Sequence, residues 1–404
     1  MINLTHSLNH SIRPSLLPFV YVCMALSFVV FIEPSPYDVL MCLLILFGWI
    51  TSSFVYTKAL GVPIVLMFIF SLSNIVSAYY STDYNGAIFY FLITLYLIFS
   101  WLCIASLATR YRIKLIQTIG EAYTLVACLS VVVGTLAYFH FIPSHEWFLQ
   151  YGRVKGLFKD PNVFGPYLVP AALYCLYKAD RGEGRVKWGA YTLFLCLALG
   201  ILLSFSRAAW GNFALSGVVY FLFTSTVPMK NRIGTVVMST CIAVPSLYLL
   251  SRTPAIATLL QQRMSIQRYD EDRFATQQVA LSSGLQNPLG MGPGQSEVNF
   301  DLSTHSLYAR LITENGVIGF ISFLVFFLLS IGYCYVQIQK ASSPHRGWYV
   351  IVFASLVGLL FNSFFVDTLH WRHLWLMLGL AWCPALVERK EEGHENRSIY
   401  HKDG

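Results

Sequence analysis

The stretch Ser303–Lys340 reads STHSLYARLITENGVIGFISFLVFFLLSIGYCYVQIQK. No charged residue stands between Glu314 and Lys340, and the run expected to span, residues 306–337, is long enough to cross the ~30 Å hydrocarbon core of a bilayer as a helix. Its ionisable groups, Arg310 and Glu314, lie near its start, just after His305. The rest of the chain follows the same plan. Hydrophobic residues make up 56% of the 404, charged residues only 12%, and mean hydropathy is +0.59, whereas soluble domains carry about 25% charged residues.

The sequence therefore predicts an all-α polytopic membrane protein of about twelve transmembrane helices. The expected spans are 15–32, 37–56, 59–79, 86–109, 115–142, 161–178, 187–204, 207–225, 233–251, 306–337, 347–366 and 371–387. The runs meeting at SFSR (Ser204–Arg207) are together too long for one crossing and are split there. The chain reads as one membrane domain over residues 1–404, with a large outer loop at 252–305 between spans 9 and 10 and a cytoplasmic tail at 388–404. No cleavable leader is expected, because the first run lacks a small-residue cleavage site. The nine cysteines all fall inside apolar runs and form no CxxC pair, so neither a disulfide framework nor a zinc site is indicated.

With the N-terminus in the cytoplasm, 17 of the 27 Lys and Arg lie on inner segments, which favours both termini inside. The outer exceptions need a reason. Arg153, Lys155 and Lys159 crowd into RVKGLFKDPNVFGPYLVP (Arg153–Pro170), just before the sixth span. Asp160 followed by Pro161 is a helix start, with Asp as N-cap and Pro in the first turn. Asn162 is a further cap donor or a polar contact. The three cations are solvated loop charges or an anion-collecting rim.

Arg207, in SFSRAAW, stands in the first turn of a span whose N-terminus faces outward. A cation there opposes the helix dipole, but a bound phosphate would reverse the penalty by taking both the free N–H groups and the guanidinium. The loop 252–305 carries Arg273 and then NPLGMGPGQ, and at roughly fifty residues it far exceeds an ordinary connection. His305, where that loop enters the tenth span, is a candidate general base, since imidazole titrates near neutrality. Glu314, nine residues on, is half a turn out of phase and about 13.5 Å away along an ideal helix, so Asp301 or Glu297 is better placed to orient His305. His370 and His373 in VDTLHWRHLW, at i,i+3, lack a third ligand, so interfacial anchoring is the preferred reading there and no metal is expected.

Taken in order, RVKGLFKDPNVFGPYLVP, SFSRAAWGN, Arg273 followed by NPLGMGPGQ, and HSLYARLITENGVIG resemble the O-antigen ligase and O-antigen polymerase superfamily over residues 150–330. That resemblance implies a C-type glycosyltransferase fold in the bacterial inner membrane, with a periplasmic active site. It implies transfer of a glycan from undecaprenyl diphosphate to an acceptor hydroxyl, on lipid A-core for a ligase or on another carrier-linked repeat unit for a polymerase. No cofactor, nucleotide sugar, metal or nucleic acid is implied; membrane lipids are the surroundings. By the same resemblance His305 matches the base, Arg207 and Arg273 the residues that hold the carrier diphosphate, and the Arg153 motif a further contact. Ser306 stands where Asn often follows the histidine, which bears on the acceptor. A transporter is the distant alternative, but it calls for ionisable residues at mid-membrane, and here they gather at one boundary.

Overall fold

The computed structural model describes residues 14–224, 268–299 and 305–386 together with isolated positions between 252 and 261; the side chains of 268–274, 299, 343 and 344 are not described. The ninth expected span and Asp301 lie outside these residues. Helices dominate: α1 Leu17–Ala25, α2 Pro36–Ile50, α3 Gly61–Ala78, α4 Tyr84–Tyr111, α5 Ile113–Tyr138, α6 Pro161–Arg181, α7 Gly184–Leu203, α8 Arg207–Phe223, α9 Arg268–Gln286, α10 Ser296–Asn299, α11 Leu307–Lys340, α12 Ser343–Asn362 and α13 Arg372–Leu380. Two-residue strands β1 Leu149–Gln150 and β2 Arg153–Val154 pair antiparallel before α6.

Among the described residues five helices are long and apolar enough to cross a membrane: Lys58–Ala78, Tyr84–Tyr111, Ile113–Tyr138, Gly184–Leu203 and Leu307–Lys340. The protein is thus an all-α, multi-pass membrane protein. Large apolar side chains stay on its outside, such as Trp49 at 75% and Phe68 at 68% exposure, as suits a surface solvated by lipid rather than water. Some expected spans are shorter as helices: α1 has nine residues and α13 nine, because Pro18 and the turns at both ends shorten what hydropathy joins. The stretch expected as the large outer loop contains the 19-residue helix α9.

Local chemistry explains the breaks that position the site. At α2, Ser35 and Asp38 form a capping box with Pro36 in the first turn. Asp160 caps α6 by accepting from the Asn162 N–H at 2.6 Å, and Pro161 opens the helix, as its sequence predicts. The SFSR junction is a true break: α7 ends at Leu203, Phe205 takes a left-handed φ of 47°, and Ser206 caps α8 by accepting from Ala209 N–H at 3.3 Å. Inside, an aromatic cluster joins three helices, with Trp101 of α4 edge-on to Phe326 of α11 at 4.9 Å and Trp375 of α13 near Phe323 at 5.8 Å.

One ion pair ties α2 to the start of α13. Asp38 accepts from Arg372 Nε at 2.7 Å and Nη2 at 2.6 Å, and from the Tyr96 hydroxyl at 3.0 Å. Removing one member of such a largely buried, bidentate pair strands the other. Asp38→Ala is expected to destabilise the detergent-solubilised protein by about 3 kcal/mol, read as a lowered unfolding midpoint, with Asp38→Ala/Arg372→Met recovering most of the loss. A single variant that melts with the wild type would remove this pair from the fold's supports.

Candidate active site

Arg153, Asn162, Arg207 and His305 stand at or just before the starts of α6, α8 and α11. The first part is a buried corner. Arg153, only 7% exposed, donates from Nε to the Ser204 carbonyl and from Nη2 to Asn162 Oδ1, both at 2.9 Å. It thereby joins β2, the first turn of α6 and the α7–α8 break. The close approach is steric as well: a Cβ on Gly165 would meet Ala209 Cβ at 2.6 Å and Ser204 Oγ at 2.8 Å. Three residues beyond Ser204 the chain reaches Arg207, exposed at the first position of α8.

From there the path runs to His305. α8 packs along α12, where a Cβ on Gly211 would meet the Phe361 ring at 2.5 Å. Arg207, one turn before Gly211, therefore lies beside the last turn of α12. That same end accepts the start of α11: Leu307 N–H donates to the Ser363 carbonyl at 3.0 Å. His305, half-buried and at a left-handed φ of 42°, is two residues upstream of that bond. Arg207 and His305 thus flank one short segment, although 98 positions apart in the chain.

Arg273 is on α9, and the register of α9 against α11 places its backbone. Thr313 Oγ1 donates to the Ala280 carbonyl at 2.8 Å, Gly284 lies against the backbone of Ile312 and Thr313, and Val317 N–H donates to the Pro288 carbonyl at 3.0 Å. Ala280 and Gly284 thus both meet α11 at Ile312–Thr313, where the two helices cross, and Arg273 lies about two turns before that crossing on α9.

Lys155 is half-buried, its N–H donating to the Phe148 carbonyl at 2.9 Å. Lys159 pairs with Glu33 at 2.6 Å, both side chains 51% exposed, a pair of the kind that contributes about 0–1 kcal/mol. Lys159 also stands at the mouth of a cavity of about 180 Å³ whose walls include Tyr123, Tyr167, His370 and His373. The α12–α13 turn beside it carries Asp367 and His370.

Sequence reasoning placed Arg310 only as an ionisable group near the start of the tenth span, and its partners were not legible. It is 4% exposed; its Nε lies 3.1 Å from Glu314, Nη1 bonds Asp367 and lies 3.9 Å from Glu297, and the guanidinium sits 4.9 Å over the Tyr90 ring. The i,i+4 spacing of Arg310 and Glu314 was the available signal. Glu297 accepts from the Tyr90 hydroxyl at 3.0 Å, and Glu314 accepts from Gly294 N–H at 2.8 Å. These contacts give both carboxylates work in holding the segment before α11.

His370 faces Thr94 Oγ1 at 3.0 Å and the Tyr90 ring at 5.3 Å, while His373 packs on Trp371 and Tyr167. Burial first, and then the charge of Arg310, push His370 down to about 3. Burial alone would raise the Asp367 carboxyl, but the Arg310 charge, with the Leu369 N–H, outweighs it and holds it below the usual carboxylate range. In the unfolded chain His370 takes a proton near pH 6.5, whereas the folded protein keeps it neutral. Its contribution to stability is therefore full above about pH 6.5 and is lost as pH falls towards 3. The unfolding midpoint in detergent is expected to drop between about pH 6.5 and 5, and His370→Gln to flatten that slope; parallel slopes in the two proteins would assign the acid sensitivity elsewhere.

Residues 192–324, about a third of the chain, match the protein family described as O-antigen ligase. The matched segment contains Arg207, Arg273, His305, Arg310 and Glu314, whereas Arg153 to Asn162 lie before it. No curated protein matches the chain. In this multi-pass helical membrane protein, the segment that carries Arg207, Arg273 and His305 is thus the part similar to the O-antigen ligase family, which supports the O-antigen ligase and polymerase superfamily.

Proposed function

We propose that the protein is an O-antigen ligase-type glycosyltransferase that moves a glycan from undecaprenyl diphosphate to a hydroxyl of lipid A-core at the periplasmic face of the inner membrane. The observation that carries this reading is that the start of α8, with Arg207, and the chain entering α11, with His305, reach the same end of α12, within the segment that matches the family. Twelve crossings, both termini cytoplasmic and the C-type fold belong to the same proposal, supported by the distribution of basic residues.

In the transfer, the bond between the anomeric carbon and the diphosphate oxygen breaks, and a bond from that carbon to the acceptor oxygen forms. Negative charge grows on the departing diphosphate, where Arg207 and Arg273 supply fixed cations that need no reorganisation. The acceptor hydroxyl loses its proton to a ring nitrogen of His305 as it attacks. Arg153 acts one step back, holding the α7–α8 turn from which Arg207 projects. Lys155 and Lys159 complete a basic rim, and the Asp160 cap and Asn162 support the corner. Asp301 remains the loop acid proposed to orient His305.

A polymerase of the same superfamily is the second reading, since Ser306 stands where asparagine is frequent at the acceptor contact. Lipopolysaccharide from a strain lacking the gene separates them. Core without polymer, with polymer accumulating on the carrier, is the expected result. Core capped by a single repeat unit would make the protein a polymerase, and a normal profile would remove both readings.

A further inference from the structure

The search for chemistry outside Arg207, Arg273 and His305 leads to the break in α11. Gly316 takes φ 69°, ψ −176°, so the helix is interrupted one turn and a half after Arg310. Such a break frees backbone groups that burial does not allow to stay unpaired. Here they are taken up by the segment before α10: Met291 N–H donates to the Thr313 carbonyl at 2.9 Å, Gly292 N–H to the Glu314 carbonyl at 3.1 Å, and Val317 N–H to the Pro288 carbonyl at 3.0 Å. Ser73 Oγ donates to the Asn315 carbonyl at 3.0 Å. The fit admits no side chain, since a Cβ on Gly316 would meet the Pro288 carbonyl oxygen at 2.3 Å and one on Gly290 the Glu314 carbonyl oxygen at 2.4 Å.

The Glu314 carboxylate, 1% exposed, fastens the same segment with both oxygens. Oε2 accepts from Gly294 N–H at 2.8 Å and from Arg310 Nε at 3.1 Å; Oε1 accepts from Ser296 N–H at 3.3 Å and from the Ser296 hydroxyl. Arg310 carries the connection on to Asp367 in the α12–α13 turn. On the far side, Gln295 accepts from the Thr82 hydroxyl at 2.7 Å, anchoring the segment to the α3–α4 turn. Three pieces of chain therefore hang on one carboxylate–guanidinium pair.

We propose that Glu314 and Arg310 are positioning residues for the transfer reaction: they lock residues 288–296 to the broken first part of α11 and so fix α9, with Arg273, relative to His305. This rests on the reading of His305 and Arg273 given above. An acid is required because donors approach both oxygens. In Glu314→Gln one oxygen becomes an NH2 that faces either Gly294 N–H and Arg310 or Ser296 N–H, and one set of bonds is lost at nearly unchanged volume. A misplacement of about 1 Å between reacting groups costs about a hundredfold in rate, so the loss appears in turnover.

The test uses the full chain in detergent with undecaprenyl-diphosphate-linked glycan and lipid A-core. Glu314→Gln is expected to lower kcat by about tenfold or more, leave KM for the carrier substrate within about threefold, and lower the unfolding midpoint while the protein stays folded at the assay temperature. Hydrogen exchange at Gly294 and Ser296 should quicken while α6 is unaffected. Arg310→Lys, which keeps the cation but loses the fork, should fall in between. Turnover within about twofold of wild type, or lost turnover with unchanged exchange at those two amides, overturns the lock. If the wild type transfers nothing to any acceptor, the transferase reading fails by itself; the exchange arm alone then decides the lock, faster exchange supporting it and unchanged exchange overturning it.

Discussion

Replacing His305 with asparagine is expected to lower glycan transfer by about 10²- to 10⁴-fold, the range that general-base catalysis supplies, with membrane insertion and unfolding midpoint unchanged. Asparagine is the informative choice because His305 holds a left-handed φ of 42°, which Asn tolerates better than most residues. A loss in this variant then reports on the missing base rather than on a strained helix entry. Leu307 N–H and the Ser363 carbonyl, which seat the start of α11, involve only backbone and survive the substitution. The check is turnover by purified protein with carrier-linked glycan and acceptor. More than a tenth of wild-type activity remaining would take the base away from His305.

Arg207→Ala and Arg273→Ala should each lower turnover by about 10²- to 10³-fold, as for loss of a preorganised group facing developing charge. Arg207 has an exposed side chain at the first position of α8, so its truncation opens no cavity in the core and the fold is expected to stand. Lysine at either position should restore only part of the rate, because an ammonium gives a point charge where a guanidinium gives two parallel donors. Arg153→Ala differs in kind: its guanidinium is bonded to Ser204 and Asn162 inside the corner, so its removal should also lower the unfolding midpoint. Arginine variants that transfer at the wild-type rate from purified substrate would place the diphosphate elsewhere.

Much of the architecture was legible because membrane helices are written locally. Uncharged runs, the Asp160–Pro161 cap and the SFSR break each declare themselves within a few residues, and the structure has α6 beginning at Pro161 and α7 parting from α8. The motifs that carry the superfamily resemblance are local too, so His305, Arg207 and Arg273 could be singled out as candidates. Helix ends were less legible, since hydropathy does not register where a turn replaces a helix, and α1 and α13 came out shorter than their apolar runs.

By itself the sequence determined an all-α membrane protein, the boundary at which its ionisable residues gather, and the family to which residues 192–324 are similar. Only the tertiary structure decided which charges answer one another. Arg310 meets Asp367 across 57 positions and Arg372 meets Asp38 across 334, distances over which neither periodicity nor hydropathy carries information. The break at Gly316 was hidden for a related reason: a lone glycine in an apolar run is compatible with an unbroken helix. It becomes a break because Pro288, Met291 and Gly292 arrive from another part of the chain to pair with the backbone it exposes.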